Sequence, residues 1–135
     1  MKEKNNKSIV KFHKFKCDLY PFNLVVVITN NETAINEQFK EENGEEISDL
    51  PESCEALTMN VRERKTNAQT SLIVFRKREY MTTEIMCHES FHAMQDIAEK
   101  IGLTFHNNDA NEHMAYLIGW IADCCQQVKT NKFKY

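Results

Sequence analysis

The segment Thr82–Gly102, TTEIMCHESFHAMQDIAEKIG, has apolar residues that recur at the spacing of an α-helix. Thr82 and Thr83 are good N-cap residues and Gly102 is a good C-cap, so we predict a helix that runs to about Ile101. At about 100° per residue, one broad arc of this helix is apolar or small. That arc carries Met86, Cys87, Ser90, Phe91, Met94, Ile97, Ala98 and Ile101. The opposite side carries His88, Glu89, His92, Asp96 and Glu99. We expect the apolar arc to pack against a sheet and both histidines to point into a cleft.

The segments around this helix predict a small sheet and a second long helix. Strands are predicted over Val10–Phe15, Leu24–Thr29, Leu57–Arg62 and Ser71–Phe75, of which the second is apolar on both faces and suits a central strand. A shorter helix is predicted from about Glu32 to Glu42, followed by an exposed loop over Asn43–Ser53. The last helix is predicted to begin at a cap residue, Asp109, and to run to about Lys129. This order predicts an α+β fold, in which a small, mostly antiparallel sheet packs against a long C-terminal helical hairpin.

Length and composition indicate one globular domain over residues 1–135, of which residues 1–8 are expected to be flexible. The longest strongly apolar run, Leu24–Ile28, is far too short to span a membrane, so no membrane partner is expected. The charged N-terminus leads into no signal-peptide core, and we therefore expect a cytoplasmic protein. A net charge of −3 argues against a nucleic-acid partner. The five cysteines are odd in number and lack CxxC spacing, which favours free, mostly buried thiols.

Residues His88–His92 read His-Glu-Ser-Phe-His, an H-E-x-x-H motif inside the predicted helix. Residues four apart on a helix stack about 6 Å from each other, so His88 and His92 can direct ring nitrogens at one metal ion. Glu89 is turned towards the open side of such a metal, where a water would lie. Catalytic zinc sites have three protein ligands and one water. Glu112, near the start of the second helix, is the favoured third ligand, and His113 is the next candidate if that helix begins later.

The same residues also have structural explanations. An ordinary exposed pair on a polar helix face would account for His88 and His92. Asp109 and Glu112 stand three residues apart at a helix start, which is close to the spacing of a capping box. Glu112 can therefore be either a metal ligand or a cap.

The motif and its spacing resemble the gluzincins, the group that includes the thermolysin-like peptidases. In that group a helix-borne H-E-x-x-H is completed by a glutamate of the next helix, typically in an Asn-Glu pair, and here Asn111-Glu112 follows His92. The resemblance covers roughly residues 82–123, and the small size and element order are similar to minimal zincin domains of phage and bacterial regulatory peptidases. One departure is Tyr116, which stands where thermolysin-like enzymes have an acidic residue. The group that orients a histidine must then be another one, either Asp96 or a backbone carbonyl.

The resemblance implies a zinc-dependent peptidase, with Zn²⁺ held by His88, His92 and Glu112 and with Glu89 as general base. A peptide or protein substrate is expected to lie along an edge strand, for which Ser71–Phe75 is the candidate. The residue that stabilises the oxyanion is left open among Tyr80, His106, His113 and Tyr116. The alternative function is a non-catalytic binding or structural module on the same scaffold.

Overall fold

The computed structural model describes residues 9–18, 20–48, 50–51, 53–103 and 108–134, with only the backbone described at 108–110. The segment predicted to be flexible, residues 1–8, and the oxyanion candidate His106 lie outside the described residues. The elements are strands β1 (Phe12–Lys16) and β2 (Asn23–Ile28), helix α1 (Glu32–Gln38), strands β3 (Phe39–Glu41), β4 (Ala56–Glu63) and β5 (Gln69–Phe75), a 3-10 turn (Arg78–Tyr80), and helices α2 (Thr83–Ile101) and α3 (Asn108–Thr130).

The strands form one sheet in the order β1-β2-β5-β4-β3, in which every neighbouring pair is antiparallel except β2 and β5. Helices α2 and α3 contact each other and cover one face of this sheet. The predicted α+β class is therefore confirmed, as are the mostly antiparallel sheet and the C-terminal pair of long helices.

The two inner strands β2 and β5 are apolar on both faces because both faces of the sheet are covered. Alternate side chains of these strands enter the core beneath α2 and α3, namely Leu24, Val26, Ile73 and Phe75. The intervening side chains enter a second core beneath α1 and the loop after β3, namely Val25, Val27, Leu72 and Val74. The predicted central position of the second strand is thus confirmed, and each such buried side chain contributes about 1.5–3 kcal/mol to folding.

Helix α2 has the predicted ends. The Thr82 side chain accepts a hydrogen bond from the Ile85 backbone N–H, and Gly102 ends the helix in a left-handed conformation with φ of 83°. The buried stripe, however, is narrower than the predicted apolar arc. Cys87 and Phe91 are exposed, whereas Glu89 is buried. The sheet and α3 cover only part of the helix circumference, so residues at the margin of the arc remain in solvent.

The first helix is shorter than predicted, because α1 ends at Gln38 instead of near Glu42. Phe39 has an extended backbone, and it starts a three-residue strand that pairs with the end of β4, with Phe39 opposite Glu63. Its side chain is buried in the core beneath α1. Pairing with β4 therefore overrides the local helical preference of this segment.

Two other predictions about the elements are wrong. Ser71–Phe75 is not an edge strand, because β5 pairs with β2 on one side and with β4 on the other. The last helix starts at Asn108, so Asp109 lies inside α3 and is not its cap. Along the described part of the chain, no helix is long and apolar enough to cross a membrane.

Replacing Thr82 with Ala should lower the free energy of unfolding by about 1 kcal/mol, because the first turn of α2 loses its side-chain acceptor. Thr82→Ser keeps the hydroxyl and should be close to wild type. Urea denaturation followed by circular dichroism measures both differences, and equal stability of the two variants would contradict the capping role.

Candidate functional site

His88 and His92 lie side by side on the exposed surface of α2. Their Nε2 atoms are 3.2 Å apart, and the two rings meet edge to face with centroids 4.8 Å apart. Because the residues are one helical turn apart, both rings project over the same patch of surface. The two ring nitrogens are close together, as the helical spacing predicts, but both histidines are exposed and their binding of one metal ion stays a prediction.

The separation of the two nitrogens fits two kinds of chemistry. A neutral imidazole can donate from one Nε2–H to the other Nε2. A tetrahedral zinc ion with Zn–N distances of about 2.0–2.1 Å holds two ligand nitrogens about 3.3–3.4 Å apart. The observed 3.2 Å is close to that value, so the separation of the two nitrogens is compatible with a shared zinc ion.

Glu89 lies beside the histidine pair but is turned towards the sheet. Its side chain is only 6% exposed, and its Oε1 atom accepts a hydrogen bond of 2.6 Å from the Thr58 hydroxyl of β4. Among the described residues no other side chain donates to this carboxylate. A carboxylate this buried needs hydrogen-bond donors, and the Thr58 hydroxyl both satisfies Oε1 and fixes the orientation of the group.

Asp96 lies one helical turn after His92, on the same side of α2. Burial raises the pKa of the Asp96 carboxyl, while a hydrogen bond from the Asn60 side chain and the charge of His92 oppose that rise. The Asn60 contact ties Asp96 to β4. Asp96 is therefore within electrostatic range of the histidine that it was predicted to orient, and a direct hydrogen bond between the two side chains is absent from the described contacts.

Glu112 is exposed and does not join the histidine pair. Within the part of the chain that the structure describes, no group of three or more His, Cys, Asp or Glu side chains could hold a metal ion. The alignment of the two helices explains this. The Ser90 side chain of α2 contacts the Cys125 thiol of α3, which marks the level at which the two helices face each other. Measured from that level at about 1.5 Å per residue, Glu112 lies about 16 Å further along the helix pair than His92.

The rotation of α2 turns the histidines towards β4. His92 is turned about 60° from Glu89 and lies one turn before Asp96, and these two carboxylates contact Thr58 and Asn60 of β4. The pair therefore faces the β4 side of the molecule. Because α3 starts at Asn108, Glu112 also lies beyond the third helical position that a capping box requires. Its role as a ligand stays a prediction.

The described candidates for oxyanion stabilisation lie in two other surface cavities. His113 and Tyr116 line one beside α3, next to the connection between β1 and β2. Tyr80 lies in the turn before α2, where the Lys77 ammonium is 5.8 Å from its ring centre, and it lines a cavity with Glu55 and Arg76. Neither cavity is lined by the histidine pair or by Glu89.

Thr58 is the residue of this site that the sequence did not reveal. The alternation of apolar and polar residues in β4 places Thr58 on the face opposite Leu57 and Met59, which is the only signal present. Which polar residue of that face meets Glu89 depends on how α2 lies across the sheet, and no local pattern contains that information.

Comparison of this chain with models of protein families, with curated proteins and with solved structures found no match.

Replacing Thr58 with Val should lower the free energy of unfolding by about 1–3 kcal/mol, because it leaves the buried Glu89 carboxylate without its donor. Thr58→Ser keeps the hydroxyl and should be much closer to wild type. The same change in a Glu89→Ala background should cost much less, since the carboxylate is gone, and urea denaturation of the four proteins in this cycle measures the coupling. Equal cost in both backgrounds would contradict the pairing.

Proposed function

We propose that this protein is a zinc-dependent peptidase whose site is centred on His88, His92 and Glu89. The observation that supports this most directly is the 3.2 Å separation of the two Nε2 atoms, with the buried, hydrogen-bonded Glu89 carboxylate on the same helix. These are the groups that hydrolysis of a peptide bond requires: nitrogen ligands for a metal and a base next to them.

The histidine pair would hold the metal through its two Nε2 atoms. A bound zinc ion supplies Lewis acidity, lowering the pKa of a coordinated water and polarising a carbonyl. The third ligand predicted from the sequence, Glu112, would reach the pair only if α3 shifted along α2, because about 16 Å of helix length separates it from His92. Glu112 remains the proposed third ligand, and measurement of zinc affinity tests its contribution.

Glu89 would act as the general base. Its Oε1 atom is held by the Thr58 hydroxyl, and no hydrogen bond of the described residues reaches Oε2. Oε2 is therefore the atom that can take a proton from a water and pass it to the leaving amine. Because Oε1 is fixed, the carboxylate cannot rotate freely, and Oε2 keeps one orientation relative to the histidines.

The substrate would be a peptide or protein segment bound along β4. Strand β3 pairs only with Val61–Glu63, and among the described strands none pairs with that side of Ala56–Asn60. An extended peptide could add to this open edge through main-chain hydrogen bonds. Thr58 lies in the middle of the open stretch and contacts Glu89, so an added peptide would pass close to the base. The proposed position of the substrate is therefore β4 and not the interior strand β5.

We further propose that the protein works in the cytoplasm. All five cysteines are free, although only Cys124 and Cys125 are buried. Burial raises the pKa of both of these thiols to about 12, which keeps them protonated. Free thiols without disulfides are typical of a reducing compartment.

Zinc binding is the first test. The purified protein should bind about one zinc ion per chain, measured by elemental analysis and by calorimetric titration, as expected for a single site. His88→Ala and His92→Ala should each weaken zinc affinity by more than about 100-fold. Mutating a residue that only hydrogen-bonds to a metal ligand typically lowers metal affinity by about 10- to 100-fold, and loss of a ligand should cost more. His13→Ala, which removes a histidine outside the motif, is the matched control. Glu112→Ala should weaken binding if α3 brings its carboxylate to the metal, whereas unchanged affinity would remove Glu112 from the site.

Catalysis is tested separately from metal binding. Glu89→Gln keeps the shape of the side chain and its acceptor for Thr58, and should lower peptide hydrolysis by at least about 100-fold while zinc affinity is retained. A peptide library with new termini detected by mass spectrometry supplies the readout, and Glu84→Gln, an exposed glutamate of the same helix, is the control. Zinc binding without hydrolysis in the wild type would favour the alternative, a binding or structural module, over a peptidase.

A further inference from the structure

A second surface of the molecule has features of a ligand site and shares no residue with the histidine pair. It is a cavity of about 210 Å³ between α3 and the connection that joins β1 to β2. Three residues with phenol or indole rings line it, namely Tyr20 from the connection and Tyr116 and Trp120 from α3, together with Asp18 and His113. Tyr116 and Trp120 are four residues apart, so both lie on one face of the helix.

Two of these aromatic residues make further contacts with neighbouring rings. Trp120 meets the Phe22 ring edge to face, with centroids 6.0 Å apart. The Tyr20 hydroxyl lies 3.4 Å from the Nδ1 atom of His113. Tyr116, by contrast, is 67% exposed, which is unusual for so large a side chain, and its ring contributes little to the core. Trp120 and Tyr20 therefore have neighbouring contacts, whereas the Tyr116 ring is exposed.

The charge of the cavity favours a cation. Asp18 is the carboxylate of its lining, and the ion pairs formed between described residues do not involve Asp18. Aromatic faces carry negative electrostatic potential, and a cation over the rings of Trp or Tyr is stabilised by it. Asp18, an exposed residue of the same lining, adds a full negative charge to that attraction.

We propose that this cavity binds a quaternary ammonium group. A primary ammonium has three N–H donors and a guanidinium has five, and each buried donor needs an acceptor. The Tyr20 hydroxyl and the His113 Nδ1 atom lie 3.4 Å apart and can pair with each other, which leaves fewer acceptors for the N–H donors of a ligand. A quaternary ammonium has no N–H donor, is weakly hydrated, and loses least on entering a site built mainly from aromatic rings. The group can belong to a free small molecule or to a trimethylated lysine side chain, which share this chemistry.

Trp120 is the only tryptophan of the chain, so intrinsic fluorescence reports on this cavity directly. Titration with choline, and separately with a short peptide that carries trimethyl-lysine, should change the emission in a saturable way. The neutral isostere of choline, in which a tert-butyl group replaces the trimethylammonium group, has the same shape without the charge and should bind at least about tenfold more weakly. Calorimetry on the same ligands provides a second readout. The tighter of the two cationic ligands identifies the source of the group.

Two variants test the assignment of the residues. Tyr116→Ala removes an exposed ring and should weaken binding about 2- to 30-fold, the range expected for one cation–π contact. Asp18→Asn removes the charge with almost no change in volume and should also weaken it. Phe133→Ala, which removes a partly exposed ring that stacks on His13 away from the cavity, should leave affinity unchanged.

Circular dichroism establishes that each variant is folded before affinities are compared. Absence of saturable binding by both cations would overturn the proposal. So would equal affinity for the neutral isostere, or unchanged affinity in both Tyr116→Ala and Asp18→Asn.

Discussion

Helix α2 can lie on the sheet in only one rotation, and the candidate catalytic site follows from that constraint. The stripe formed by Met86, Ala93, Met94 and Ile97 is buried against β4, β5 and α3. A turn of the helix by one residue, about 100°, would expose several of these side chains at about 1.5–3 kcal/mol each and would push charged or polar groups into the core. With the stripe in place, Glu89 falls at its border and meets Thr58, whereas His88 and His92 remain in solvent. The packing of apolar residues thus sets the position of every polar group in the site.

Much of the fold could be predicted because it depends on local patterns. The two ends of α2 follow from Thr82 and Gly102, and the inner position of β2 follows from its apolar residues on both faces. Other features depend on contacts between distant segments. Phe39 leaves the helix because β4 offers a pairing partner, and β5 is an interior strand because β2 joins its free side. No local periodicity contains either fact, because the order of strands in a sheet is a property of the whole chain.

The candidate site likewise has features that follow from local patterns and features that depend on contacts between distant segments. The convergence of His88 and His92 depends only on helical spacing and could be predicted. The contact of Glu89 with Thr58, and the distance of Glu112 from the pair, depend on how α2 lies against β4 and α3. A spacing in sequence cannot give the offset between two antiparallel helices, since that offset is set by which side chains interlock. Here the contact between Ser90 and Cys125 marks the offset. It also separates the two surfaces of interest, with the histidines towards β4 and the aromatic cavity beside the connection of β1 to β2.

The parallel pairing of β2 with β5 has a consequence for the order in which the chain folds. Asn23 lies opposite Thr70, so the two strands at the centre of the sheet are separated in sequence by α1, β3 and β4. The β4–β5 hairpin and the α2–α3 pair involve neighbouring segments and close short loops, whereas the central pairing closes a long one. The loss of chain entropy when this long loop closes contributes to the free-energy barrier of folding. The β4–β5 hairpin can pack against α2 without the N-terminal strands, whereas the part of the core that β2 contributes forms only after the chain has brought its N-terminal third to β5.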